Sequence, residues 1–216
     1  EDESAARISL SGVLTATSPG WSVVQATYGG VTTSLAIAVS GLTNGGFENA
    51  TRSPWTLGDD FTIVEDESLA RTGRKALLLQ GSGTWKNARQ TVAVAPNTDY
   101  ALIWHAVSDF SEAAGTVSDP KVTVKITGDA GTLQEYEILE GSGGEWRRHS
   151  FLFNSGTSGT VTLYISEHGG THRFDDFVLV EARRLDGIEF GASSYDVPLG
   201  GSTRTTVLGR YAYGLE

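Results

Sequence analysis

Val122-Thr123-Val124-Lys125-Ile126, VTVKI in one-letter code, alternates β-branched apolar residues with Thr and Lys. A period of two puts Val122, Val124 and Ile126 on one face of an extended chain, with Thr123 and Lys125 on the other. Leu35-Ala36-Ile37-Ala38-Val39 and Val161-Thr162-Leu163-Tyr164-Ile165 repeat the pattern on either side. Between such runs lie Gly81-Ser82-Gly83, Thr127-Gly128-Asp129-Ala130-Gly131, Gly141-Ser142-Gly143-Gly144 and the small residues from Ser155 to Gly159. Gly, Ser, Asn and Asp clusters end strands, because they tolerate turn conformations and offer little to pack. Helical spacing is nearly absent. The one helix-tolerant segment, Ser108 to Gly115, has a Gly, Ser and Asp content that suits a loop better. Many short strands punctuated by turns specify an all-β sandwich.

Composition narrows the function classes. The 216 residues include 27 Gly, no Cys and no Met, and carry a formal charge of −10. Without Cys there is no disulfide, thiolate metal centre or Cys nucleophile. That fits an exported bacterial protein, and a secreted or cell-surface location is expected. A chain this acidic repels nucleic acid and anionic lipid, whose binding rests on Lys and Arg meeting phosphates. It tolerates neutral ligands and favours divalent cations. No apolar run approaches the roughly 18 residues of a membrane span, so no membrane insertion is expected. The start at Glu1-Asp2 reads as a fragment of a longer protein, with covalently linked neighbouring domains.

The chain reads as three parts. Residues 1–41 and 184–216 share small residues, Thr-rich strands and Gly-Gly turns. Residues 42–183 hold every Trp except Trp21 and most of the charge. The middle part contains, in order, "NGGFE…W" (Asn44 to Trp55), "RTGRKALLL" (Arg71 to Leu79), "QTVAVAPNTDYALIW" (Gln90 to Trp104), "GEWRRHSFLF" (Gly144 to Phe153) and "RFDDFVLVE" (Arg173 to Glu181). This ordered set resembles the jelly-roll carbohydrate-binding modules of the family 4, 16 and 22 type, over nearly all of 42–183. The resemblance implies a structural calcium where the first strand, an early turn and the last strand converge. Ca²⁺ takes about six to eight oxygens, carboxylates and carbonyls mixed. Glu48 and Asp175 would supply side chains, and Gly46, Gly73 and Lys75 carbonyls. The alternative is a surface glutamate and a solvated Asp-Asp turn.

A sugar ring presents a flat C–H face to an indole or phenol, and its hydroxyls pair with amides and charged groups. Trp55 and Trp146 match the family's packing positions and are expected in the core, with Phe47, Phe151, Phe153 and Phe177. Trp104 alternates with Tyr100 and Leu102 and reads as core too. Trp85 differs: it follows a Gly-Ser-Gly turn and neighbours Lys86, Asn87 and Arg89. It is either a ligand platform or a satellite core residue under a loop. By parity Thr162, Tyr164 and Lys125 point away from the core, and His105 points away from Trp104. Gln90 stands at the edge of the same face. Together with Arg89 these line either a ligand cleft or an ordinary solvated face.

Catalytic signatures are lacking. His168-Gly169-Gly170-Thr171-His172 has the look of a metal pair, but a Gly-Gly turn separates the two His and no third ligand matches. The acidic pairs Glu65/Glu67 and Glu135/Glu137 are what a chain with 26 acidic residues offers by chance. No nucleophile elbow, phosphate loop or nucleotide fingerprint is present. At the ends, residues 7–40 resemble the second half of a bacterial group-2 Ig-like domain and residues 185–216 the first half. They belong to two neighbouring domains, or pair as one smaller Ig-like β-sandwich. The expected function is a non-catalytic carbohydrate-binding module, binding a polysaccharide or oligosaccharide, within a larger bacterial protein that degrades polysaccharide. The alternative is a structural or adhesive spacer with no sugar ligand.

Overall fold

The computed structural model describes residues 5–9, 11–113, 117–182, 185–190, 197, 199–202, 207–211 and 214–215, with backbone alone at 185–190, 207–211 and 214–215. Backbone contacts divide the chain into two units, Glu1–Val39 with Ala182–Glu216, and Ser40–Glu181. In the first unit, β1 (Ala6–Ile8) pairs with β2 (Leu14–Ala16), and β3 (Gly20–Tyr28) with β4 (Val31–Val39). The remaining strands of the second unit are β5 (Thr56–Leu57), β6 (Phe61–Glu65), β7 (Lys75–Gly81), β8 (Lys86–Ala93), β9 (Asp99–Asp109), β10 (Lys121–Gly128), β11 (Gly131–Ile138), β12 (Arg147–Asn154), β13 (Thr160–His168) and β14 (Gly170–Glu181). Toward the C-terminus, β15 (Leu185–Phe190), β16 (Val207–Tyr211) and β17 (Gly214–Leu215) form a third small sheet. The segment after β9 holds one turn of 3-10 helix, Ser111–Ala113. Among the described residues no helix is long and apolar enough to cross a membrane.

Two five-stranded antiparallel sheets build the second unit. The first has the order β11-β10-β13-β8-β5, and the second β12-β9-β14-β7-β6. Apart from the consecutive pairs β10–β11 and β6–β7, neighbours in each sheet come from distant parts of the sequence, as in a jelly roll. The alternation read from sequence places Val122, Val124, Ile126, Val161, Leu163 and Ile165 between the sheets, each at most 1% exposed. Leu77, Leu79, Leu102, Trp104, Phe174 and Leu179 meet them from the second sheet. A side chain of this size contributes about 1.5–3 kcal/mol when fully buried, so this shared core holds the sheets face to face.

The stretch Asn44 to Trp55 closes one end of the core. Phe47 and Trp55 are buried with ring centroids 5.3 Å apart, and Phe177 from β14 packs on both. The Trp55 indole N–H donates to Asn44 O at 3.0 Å. Gly45 is obligatory, because a Cβ there would collide with Phe177 O.

Three core expectations need correction. Trp146 precedes β12 and is only half-buried, with the Arg173 guanidinium 5.5 Å above its ring. Phe151 is likewise half-buried at the core's margin. In the first unit Leu35, expected on an apolar inner face, is 63% exposed. The proposed boundary at Arg184, and the side chains of Ile188, Phe190 and Val207, lie outside the described residues.

Candidate functional site

The face of the first sheet that looks away from the core is built by strand register. Core-facing Ala88 and Val92 turn Asn87, Arg89 and Thr91 of β8 outward. The same parity turns Thr162, Tyr164 and Ser166 of β13 outward, with Thr123 and Lys125 of β10. Pairing then aligns them across strands. Glu135, Lys125, Tyr164, Arg89 and Thr56 form one continuous row. Glu137, Thr123, Ser166 and Asn87 form the next. On the other side of the first row, Thr91 and Thr162 share a hydroxyl–hydroxyl bond of 2.9 Å.

Trp85 stands at the end of this face, in the loop that leads into β8. Ser82 in that loop donates its hydroxyl to Asp60 Oδ2 at 2.7 Å and pairs with the Thr84 hydroxyl at 2.9 Å, which fixes the approach. The indole is 54% exposed, yet it is not adrift. It lies parallel to the His168 imidazole, 5.1 Å between centroids and 5° between planes. One face of the ring is therefore backed by His168. Beside it opens a recess of about 400 Å³, whose walls include Trp85, Asn87, Lys121, Lys125, Glu135 and Ser166.

The charges here are unevenly paired. Lys121 binds Glu137 at 2.7 Å and Asp119 at 3.5 Å, and the Glu137 bond holds its ammonium above the usual lysine range. Lys86 reaches Asp59 only at 3.9 Å. Lys125 lies over the Tyr164 ring, 5.6 Å from its centroid, and among the described residues makes no ion pair. Arg89, exposed on the same row, makes none either.

Of the residues expected to bind ligand, Trp85, Arg89, Lys125, Thr162 and Tyr164 share this face. Gln90 does not. It is 3% exposed on the core side of β8, where its Oε1 accepts from Thr43 N at 3.0 Å and its Nε2 donates to Thr43 O at 2.9 Å. His105 does not either. It sits on β9 in the second sheet, opposite Asp175 and Arg148, on that sheet's outer face. Burial lowers its pKa, and the positive charges of Arg71 and Arg148 lower it further against Asp176. Sequence reasoning missed His168 as the support of Trp85, and Lys121 and Glu137 as wall residues. The alternation through β10 and β11 carried the signal for the last two.

The expected calcium ligands lie around one turn. Asp175, fully buried, accepts on Oδ2 from the backbone N–H groups of Arg71 and Thr72, at 2.9 and 3.2 Å. Glu48 Oε1 accepts from Arg74 N and Lys75 N, at 2.9 and 2.8 Å. The two carboxylates thus hold opposite ends of the 71–75 segment. Gly73, at φ 63°, lets the turn press against Glu48, where a Cβ would strike the carboxylate. Burial pushes the Asp175 carboxyl up to about 6, opposed by its backbone donors. No group of three or more His, Asp or Glu gathers for a metal among the described residues. A cation here fits only with carbonyls as most of its ligands, which is how Ca²⁺ differs from Zn²⁺. Gly46, Gly73 and Lys75 have carbonyls to give. The Lys75 ammonium, however, already donates to Asn49 O at 3.0 Å.

Comparison with known proteins agrees with the two-sheet fold. The chain resembles, with 20% identity and a TM-score of 0.53, the solved structure of TmCBM61 in complex with β-1,4-galactotriose; the match covers 67% of this chain and all of that one. A second likeness, at 17% identity and a TM-score of 0.45, is to the CBM22-1 xylan-binding domain of Xyn10C from Paenibacillus barcinonensis, covering 63% of this chain and 91% of that one. No curated protein matches. The profile of the carbohydrate binding domain family CBM_4_9 matches residues 39–171, more than half of the sequence. That match over more than half of the sequence makes the chain a member of the carbohydrate binding domain family, a non-catalytic kind of module.

Proposed function

We propose that the outer face of the first sheet binds an oligosaccharide chain, with Trp85 as the stacking platform and Tyr164, Lys125, Arg89 and Thr162 as its companions. The observation that carries this reading is Trp85 itself. An indole that is half-exposed, backed by His168 and open to a recess has an apolar face free for a sugar ring. The β-1,4-galactotriose bound by TmCBM61 supports an oligosaccharide of several units as the kind of ligand. Replacing Trp85 by Ala should cost about 1–3 kcal/mol of binding. Retention in affinity gels across a panel of polysaccharides tests it. A wild type that is retarded and a Trp85→Ala variant retarded equally would remove Trp85 from the site.

The proposal extends to a structural calcium, held by Glu48 and Asp175 with carbonyls of Gly46, Gly73 and Lys75. Its support is the pair of carboxylates on one turn and the burial of Asp175, whose negative charge a divalent cation would stabilise. A cation that binds only the folded state stabilises it by about 2.7 kcal/mol at a hundredfold excess over its Kd. Chelation should lower the melting temperature, and added calcium should restore it. A melting curve indifferent to both removes the ion from the account. We place the module in a secreted or surface-attached bacterial protein that degrades polysaccharide, since a non-catalytic binder serves by holding another domain at its substrate.

A further inference from the structure

We infer that the glycan bound on this face is acidic, a polymer that carries uronic acids. The inference rests on the proposal that the face binds a glycan at all. Its starting point is the row Lys125–Tyr164–Arg89, in which two cations flank one aromatic ring on three neighbouring strands. Neither cation has a carboxylate within ion-pair distance among the described residues. This holds for Lys125 although Glu135 stands directly across the strand pair. The Lys125 ammonium instead lies above the Tyr164 ring.

The chain as a whole carries −10. Carboxylates are therefore abundant as partners, and several cations take them: Arg71 with Asp176, Arg74 with Glu65 and Glu67, Lys121 with Glu137. Arg52, Arg147, Arg148 and Arg173 make no ion pair among the described residues either; what sets Lys125 and Arg89 apart is that they share one row with an aromatic ring on the face that carries the recess. The recess is lined by Lys86, Lys121 and Lys125 against Glu135 and Glu137, and Arg89 lies on the adjoining row. Glu137 is already neutralised by Lys121. Lys86 and Lys121 have Asp59, Asp119 and Glu137 as partners, so the charges a ligand meets without an ion pair are Lys125, Arg89 and Glu135, beside hydroxyls and an amide from Thr123, Ser166 and Asn87.

A neutral sugar can take these cations only through its hydroxyls, which are weaker partners for an ammonium or guanidinium than a carboxylate is. A uronate ring fits this arrangement. Its carboxylate meets the Lys125 ammonium, which lies over the Tyr164 ring, on one side or reaches Arg89 on the other. A hydrogen bond between charged partners is shorter and stronger than a neutral one. Arg adds a planar fork that a carboxylate can take with both oxygens. Trp85, at the end of the face, then stacks a further residue of the same chain.

The test uses the whole chain with polygalacturonate, alginate and glucuronoxylan, each alongside the same polymer with its carboxyls reduced to alcohols, and with neutral galactan and xylan. The expected result is binding to at least one acidic polymer, at least tenfold weaker binding to its reduced form, and affinity that falls as salt rises from 50 to 500 mM, since screening acts on exposed charge pairs. Lys125→Gln and Arg89→Gln should each weaken binding to the acidic polymer by about tenfold or more, and weaken binding to the reduced polymer by a clearly smaller factor. Lys125→Arg should keep most of the affinity. Both positions are on the sheet surface, and unchanged melting temperatures show that the variants fold. Equal or tighter binding of the reduced polymers or of neutral galactan or xylan overturns the acidic reading while the sugar-binding proposal stands. Unchanged affinity of both Gln variants for the acidic polymer overturns it as well. Retention on no polymer of the panel overturns the sugar-binding proposal, and this inference with it.

Discussion

Glu167 and His172 hold one residue, Gly169, between them. Gly169 N donates to Glu167 Oε2 at 2.6 Å, and Gly169 O lies 3.1 Å from His172 Nε2. Their other heteroatoms, Glu167 Oε1 and His172 Nδ1, have no hydrogen-bond partner among the described residues. Burial raises the Glu167 carboxyl to about 7; the Gly169 N–H opposes that rise and the neighbouring Asp60 adds to it. Burial lowers the His172 imidazole to about 4, against Gly169 O and Asp109. The two shifts act on stability with opposite signs. Between about pH 4.5 and 7 the folded protein holds a proton on Glu167 that the unfolded chain releases, so stability falls as pH rises through that window. Between about pH 6.5 and 4 the unfolded chain takes a proton on His172 that the folded protein refuses, so stability falls as pH drops. In the wild type they offset. Glu167→Gln should therefore gain on the wild type as pH rises from 4.5 to 7, by on the order of 1–3 kcal/mol. His172→Gln should gain on it as pH falls from 6.5 to 4. Urea unfolding at pH 4, 5.5, 7 and 8 measures both differences; offsets that stay constant across pH refute the coupling.

At the scale of elements, β8 shows what alternation carries and what it omits. The outward residues Asn87, Arg89 and Thr91 follow from the inward Ala88 and Val92. Gln90 shares the inward parity, and an amide there is tolerated only because both its ends meet the backbone of Thr43. It ties the segment before Asn44 to the first sheet. Gln90→Leu should cost about 1–3 kcal/mol by leaving that backbone pair unmatched, yet leave sugar affinity unchanged, which calorimetry with chemical denaturation can separate. The polar identity of Gln90, not its parity, misdirected the reading of the sequence. His105 fails for another reason. It does point away from Trp104, but β9 lies between β12 and β14, and that pairing joins residues far apart in sequence. No local pattern states which sheet a strand enters. Trp146 fails because β12 begins one residue later, at Arg147, so the indole leaves the ladder and meets Arg173. The runs in β10 and β13 were legible throughout, because period two and β-branched residues agree with their final burial. Trp85 was legible as an indole stranded among turn residues. Its support by His168 was not, since that contact is made by the far end of β13.

At the scale of the molecule, the two units differ in how much they bury. Ser40–Glu181 holds the whole shared core of the two five-stranded sheets. The strands before it form two-stranded sheets that leave Ile8, Val13, Tyr28, Val31 and Leu35 between 49% and 93% exposed. Val197 and Leu199 are exposed as well. A lone two-stranded ribbon is marginally stable in water, and its unpaired edges recruit other strands. We therefore expect residues 7–40 to depend on 185–216, with which they are grouped in one compact unit. Within one chain the two segments meet at a high effective concentration, because both leave the same module. Strand exchange between copies is the competing way to cover the same edges. A chain ending at residue 184 should keep 42–183 folded while its first 40 residues become sensitive to protease or prone to aggregate. Limited proteolysis with mass spectrometry reads which segment is cut, and light scattering of the untruncated chain separates the two modes, since exchange requires a dimer. An N-terminal segment that stays ordered, monomeric and resistant after the truncation shows that it folds by itself, and the dependence on 185–216 is then wrong.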